Sequence, residues 1–195
     1  MIRKPFYPVS LNLVGRRCVV IGTREDPEAI EKAAALEEAG ADLRWIDDPS
    51  SLKDEDVADA FFVISTPQNE ALSARLRSLA DCYRFLLCCI DQPAYGFVAM
   101  AAIAKAGPVR IAISTTGLAP RVGKAIRRAL QSVMDERFER FVGILARRRE
   151  EVREKHPRPD ESPIRRSAMI EAARGFSAAV QFTYPDWFED ERAER

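Results

Sequence analysis

A chain of 195 residues that is 47% hydrophobic is long enough to bury a substantial core, as one large domain or two small ones. Thirty Lys and Arg balance thirty Asp and Glu, which excludes a global field drawing the chain to nucleic acid or to a membrane surface. The opening MIRKPFYPVSLNLVGRR has no apolar signal core and no later run is long enough to span a bilayer, so a cytoplasmic protein is expected.

The predicted elements alternate over the first two-thirds. RRCVVIG (16–22) reads as a buried strand ending at Gly22, and PEAIEKAAALEEAG (27–40) as a helix closed by Gly40. ADLRWID (41–47) alternates as a second strand and AFFVIST (60–66) as a buried third. NEALSARLRSLADC (69–82) is a second amphipathic helix, followed by the strand RFLLCCID (84–91). This rhythm predicts a parallel sheet covered by helices. Two more strands, within 95–107 and 108–117, are joined by a Lys-Ala-Gly-Pro turn. One long helix is expected from Pro120 to the neighbourhood of Glu154, then a proline-rich connection over 155–163, then a helix over 164–180. The basic runs at 121–128 and 147–149 and the acidic tail from Asp186 read as solvated faces. Cys18, Cys82, Cys88 and Cys89 contain no CxxC pair and read as reduced residues, and the single His156 lies in the charged EKHPRPDE, so no metal site is expected.

The first turn carries the first functional signal. In a dinucleotide fold, glycines let the backbone approach the pyrophosphate, and the helix N-terminus supplies free N–H groups. Here the turn is G-T-R-E-D-P, with Gly22 alone. Asp26 before Pro27 is a self-capping signal, and Glu25, Asp26 and Glu28 crowd the place of a phosphate. Arg24 pairs either with a phosphate or with those acids. Asp47 ends the second strand about where a ribose-binding acid is expected, and WIDDPSS reads equally well as a plain turn.

Several segments together resemble one family, the precorrin-2 dehydrogenase / sirohydrochlorin ferrochelatase proteins that form the N-terminal module of siroheme synthases. YPVSLNLVGRRCVVIG (7–22) is similar to its entry, EKAAALEEAGADL (31–43) to its first helix, and FFVISTPQNEAL (61–72) to its third strand, with Thr66 kept and two acids replaced by Pro67 and Gln68. LLCCIDQPAYGFVAMAAIAKAGPVRIAISTTGLAPRVGKAIRRALQ (86–131) carries the most specific match, from Asp91 through Gly107-Pro108 to Ser114, Thr115, Gly117 and Pro120.

The resemblance implies an α/β fold: a Rossmann-like parallel sheet over 1–107, a strand-plus-long-helix dimerisation region over 108–154, and a small C-terminal helical domain over 155–195. It implies a homodimer that oxidises precorrin-2 to sirohydrochlorin with NAD+, some members also inserting Fe2+ as a substrate. Asp91 matches the family's key aspartate, an acid–base group, although IDQP is also ordinary turn chemistry for a strand exit. Gly22, Thr23, Arg24, Asp47 and Thr66 are the implied cofactor-binding residues. Ser114, Thr115, Thr116 and Gly117, ahead of a helix start, are the implied sites for the substrate's carboxylates, against the plainer reading of an N-capping cluster. Three departures fall near cofactor and ring: the G-T-R-E-D-P turn where the family has G-G-G, Cys88 where it has Asn, and the lost acids after Thr66. They leave open a chelatase without redox activity and a non-catalytic tetrapyrrole-binding dimer.

Overall fold

The computed structural model describes residues 6–188. The first five residues of the opening segment and the acidic tail from 189 lie outside them. Four strands, β1 (Arg17–Ile21), β2 (Asp42–Ile46), β3 (Phe62–Ser65) and β4 (Leu86–Cys89), form a sheet in the order β2-β1-β3-β4. Each neighbouring pair is parallel, with Val20 opposite both Trp45 and Ile64, and Ile64 opposite Cys88. Parallel strands need crossovers, and helices α1 (Pro27–Glu38) and α2 (Glu70–Tyr83) supply two of them.

The strand period of two sorts β1 between two cores. Cys18 and Val20 join Ala29, Ala33 and Leu36 of α1, with Phe62, Ile64 and Cys88. Val19 and Ile21 join Leu72, Leu76 and Leu79 of α2, with Val63, Leu87 and Cys89. A sheet buried on both faces explains why these strands read as unbroken apolar runs. Beyond β4 the chain doubles back, and Phe97 N and Val98 N both donate to Leu87 O. Gly96 permits this approach, since a Cβ there would lie 3.1 Å from Leu87 O.

Strands β5 (Ala102–Ala106) and β6 (Val109–Ile113) pair as a hairpin around Gly107 and Pro108. The first is shorter than 95–107, because 95–101 runs beside β4 instead. The single helix expected from Pro120 to Glu154 is two: α3 (Pro120–Val133) and α4 (Glu136–Lys155). Asp135 makes the break, adopting an extended backbone and capping α4 by accepting from Phe138 N at 2.9 Å. Helix α5 (Ser162–Ala172) stops short of 180. Gly175 turns the chain at φ 83, and Phe176 stacks on Phe141 with centroids 5.1 Å apart.

The chain forms two compact units. One comprises residues up to Ala104 with Ile111–Leu130, and the other Lys105–Arg110 with the chain from Gln131 onward. The hairpin tip joins the second unit through Gln131, whose amide accepts from Lys105 N at 3.0 Å and donates to Lys105 O at 2.9 Å. No helix among the described residues is long and apolar enough to cross a membrane.

Candidate functional site

The order β2-β1-β3-β4 places a topological switch point between β1 and β3, where connections leave the sheet in opposite directions and α/β folds bind ligands. Gly22 and Thr66 sit at that point, one residue beyond each strand. Thr66 N donates to Ile21 O at 3.0 Å and Gly22 N to Ile46 O at 3.0 Å, extending the ladders. Gly22 has φ 154, and a Cβ there would stand 2.3 Å from Thr66 Oγ1. The single glycine is therefore required by Thr66, whatever else binds nearby.

The turn that follows is closed on itself. Asp26 N donates to Thr23 O at 3.1 Å, and Arg24 N donates to Asp47 Oδ1 at 2.6 Å. The Arg24 guanidinium stacks over Trp45, 4.7 Å from its centroid, and Trp45 Nε1 donates to Gly22 O at 2.7 Å. Gly22, Arg24, Asp47 and Thr66 thus meet at one edge of the sheet, with exposed Thr23 in the turn between them. Trp45, which organises this corner, was outside the expected set; its place beside Ile46 at the end of β2 was the available signal.

Asp26 settles what the α1 N-terminus can accept. Pro27 has no N–H, and Asp26 Oδ1 accepts from Glu28 N at 2.9 Å. Thr66 Oγ1 donates to Asp26 Oδ2 at 2.5 Å. The Thr66 hydroxyl first, then the Glu28 amide, holds the Asp26 carboxyl below its ordinary value. The next amide, Ile30 N, bonds to Asp26 O as the first turn of the helix. With Pro27 lacking a donor, Glu28 N given to Asp26 and the carboxylate itself at the helix head, this subsite does not fit a pyrophosphate while Asp26 stays in place. Asp47, at the ribose end, spends one carboxylate oxygen on Arg24 N.

Asp91 stands beyond β4 at the same sheet edge. Ile90 N donates to Ser65 O at 2.9 Å, and Asp91 turns the chain at φ 57, a left-handed conformation that Asp tolerates. Its exposed carboxylate receives Gln68 Nε2 at 3.3 Å. Gln68, one of the two replacements after Thr66, is thus the side chain that orients Asp91. The following loop is pinned by Ser73 Oγ donating to Gln92 Oε1 at 2.5 Å and by Arg77 over Phe97 at 3.8 Å.

Ser114, Thr115, Thr116 and Gly117 form a tight turn into α3. Thr116 (φ 55) and Gly117 (φ 74) are successive left-handed residues, Thr116 N donates to Ser114 Oγ at 3.3 Å, and Leu118 N to Thr115 O at 2.9 Å. A β-branched residue at positive φ is strained, so Thr116 holds this turn at a conformational cost. Thr115 packs on α3 at Gly123, where a Cβ would lie 3.4 Å from Thr115 Cγ2. The bonds of this turn are local, and it and Asp91 are held by separate contacts.

Residues 9–102 match a sequence-family model described as "Putative NAD(P)-binding". The parallel sheet and its switch point make the chain an α/β protein with a Rossmann-like sheet. Siroheme synthases match much more of it: that of Xylella fastidiosa is 28% identical over 175 residues, 80% of this chain and 37% of the relative. That of Hahella chejuensis is 25% identical over 167 residues, 76% of this chain and 35% of the relative. A solved structure, "SirC, precorrin-2 dehydrogenase", shares the fold at a TM-score of 0.65 and 20% identity, covering 87% of this chain and 90% of that one. The chain is thus similar to siroheme synthases and to a precorrin-2 dehydrogenase, and spans little more than a third of the siroheme synthases it matches.

Proposed function

We propose that the chain oxidises precorrin-2 to sirohydrochlorin in siroheme formation, with Asp91 as the group that takes the proton. The observation that carries this reading is the placement of Asp91: an exposed carboxylate past the carboxyl end of β4, set in a left-handed turn and oriented by Gln68. The oxidation removes a hydride and a proton, and a carboxylate aimed out of the fold suits the second. NAD+ is the hydride acceptor that the likeness to a precorrin-2 dehydrogenase suggests; once Asp26 is displaced, Gly22, Thr23, Arg24, Asp47 and Thr66 would be the residues about its adenosine end. Ser114, Thr115, Thr116 and Gly117 are the proposed contacts for the tetrapyrrole's carboxylates. The chain acts as a homodimer through 108–154, a reading supported by the exposed Leu118 and Val122 on and before α3. Its compartment is the cytoplasm, which suits four free cysteines.

The closed turn at Asp26 favours a second reading, a chelatase that inserts Fe2+ into sirohydrochlorin without redox chemistry. One experiment separates the two. Precorrin-2 is supplied anaerobically with and without NAD+, and sirohydrochlorin with Fe2+ in parallel, each followed by absorbance. NAD+-dependent appearance of sirohydrochlorin supports the oxidation. Metal insertion alone, lost in Asp91→Ala, supports the chelatase, and neither reaction rejects both.

A further inference from the structure

The geometry points to Asp26 as a built-in occupant of the pyrophosphate subsite: the carboxylate, tied to Thr66, must be displaced before a nicotinamide dinucleotide can bind at α1. This rests on the reading of residues 9–102 as a nicotinamide-dinucleotide domain. Four features carry it.

The donors are the first. Glu28 N, the first amide of α1, serves Asp26 Oδ1 at 2.9 Å, and Pro27 has none to offer. Charge is the second. The N-terminal end of a helix attracts one anion, and a carboxylate already there repels the two charges of a diphosphate. Third is the tether. Thr66 Oγ1, 2.5 Å from Asp26 Oδ2, fixes the carboxylate from the neighbouring strand, so rotation away from α1 gives up two kinds of bond at once. Space is the fourth. The hollow that a bare glycine opens toward phosphate is filled at Gly22 by the same Thr66 hydroxyl. Lys32, in the second turn of α1, offers no compensation because Glu28 at 2.8 Å and Glu31 at 3.0 Å hold it.

The test uses the full chain and NAD+ titrated by calorimetry into wild type, Asp26→Gly and Asp26→Asn. Glycine is nearly as good an N-cap as a hydroxyl or carboxylate residue, so Asp26→Gly frees the Glu28 amide and empties the helix head while keeping α1. Asparagine keeps the cap and removes the charge. The expected result is an NAD+ affinity at least about tenfold higher in Asp26→Gly than in wild type, with Asp26→Asn between them. Equal affinities in all three, or no binding in any, overturns the inference, and melting temperatures within a few degrees show that the comparison is of folded chains. Precorrin-2 turnover is measured separately on the same preparations. A gain in NAD+ binding without turnover leaves Asp26 as the occupant and removes the oxidation; turnover in wild type with no gain in Asp26→Gly does the reverse.

Discussion

Thr66 Oγ1 lies 2.5 Å from Asp26 Oδ2 across forty positions of sequence, and the same hydroxyl stands 2.3 Å from where Gly22 would carry a Cβ. One side chain thereby couples the exits of β1 and β3 to the start of α1. Gly22→Ala forces a methyl into that hydroxyl and should destabilise the chain by about 1–3 kcal/mol. In Gly22→Ala/Thr66→Ala the obstacle is gone, so the double variant should be less destabilised than the two single losses added together. Urea unfolding of the four proteins measures the coupling. Simple additivity would mean that the contact does not constrain Gly22.

The bonds on Asp26 also have a pH signature. Its carboxyl is held below the ordinary value of 3.8, chiefly by Thr66 and next by Glu28 N. A group with a lowered folded pKa stabilises fully above its unfolded value and loses that contribution as pH falls through the folded one. The stability gap between wild type and Asp26→Asn should therefore be constant from roughly pH 5 to 8 and change only below about pH 4. Denaturant midpoints taken at half-unit intervals read this directly, and a gap already shifting near neutrality would assign the effect to another group.

Thiol chemistry gives a check on the core. Burial, with Cys89 alongside, pushes the Cys88 thiol up to about 12, and burial raises Cys18 and Cys89 too. Cys82 alone is exposed. At pH 8 an aromatic disulfide reagent should modify one thiol quickly in the native chain and all four in guanidinium, since only the thiolate reacts. A second fast thiol in the native protein would contradict the packing of β1 and β4.

The fold was legible where one physical cause acts over a short range. β1, β3 and β4 are apolar on both faces because helices cover both, and that writes itself as VVI, FVIS and LLCC. The helix break at Asp135 was harder to see, because Arg127 to Glu154 keeps helical composition throughout and only one capping carboxylate interrupts it. Asp26 as a cap was visible next to Pro27, while its second partner was not: Thr66 reaches it only because β3 lies beside β1. Gln68 read as the loss of an acid, and its bond to Asp91 depends on the β3–β4 pairing that sets the two strand exits side by side.

That bond leads to the most direct test of the chemistry. Asp91 sits at φ 57, where Asn is nearly as well accommodated as Asp, so Asp91→Asn isolates the charge from the turn. If Asp91 moves the proton, Asp91→Asn should lower the turnover of precorrin-2 by about 10² to 10⁴-fold with little change in tetrapyrrole binding, as loss of a general base does. Gln68→Ala leaves the carboxylate in place without its 3.3 Å donor, and should lower turnover by a smaller factor, about threefold to tenfold, through loss of orientation. Stopped-flow turnover and fluorescence-quenching titrations on the same samples separate the two quantities. Turnover unchanged in Asp91→Asn would leave Asp91 only the role of bending the chain after β4, which a charge-free residue performs as well.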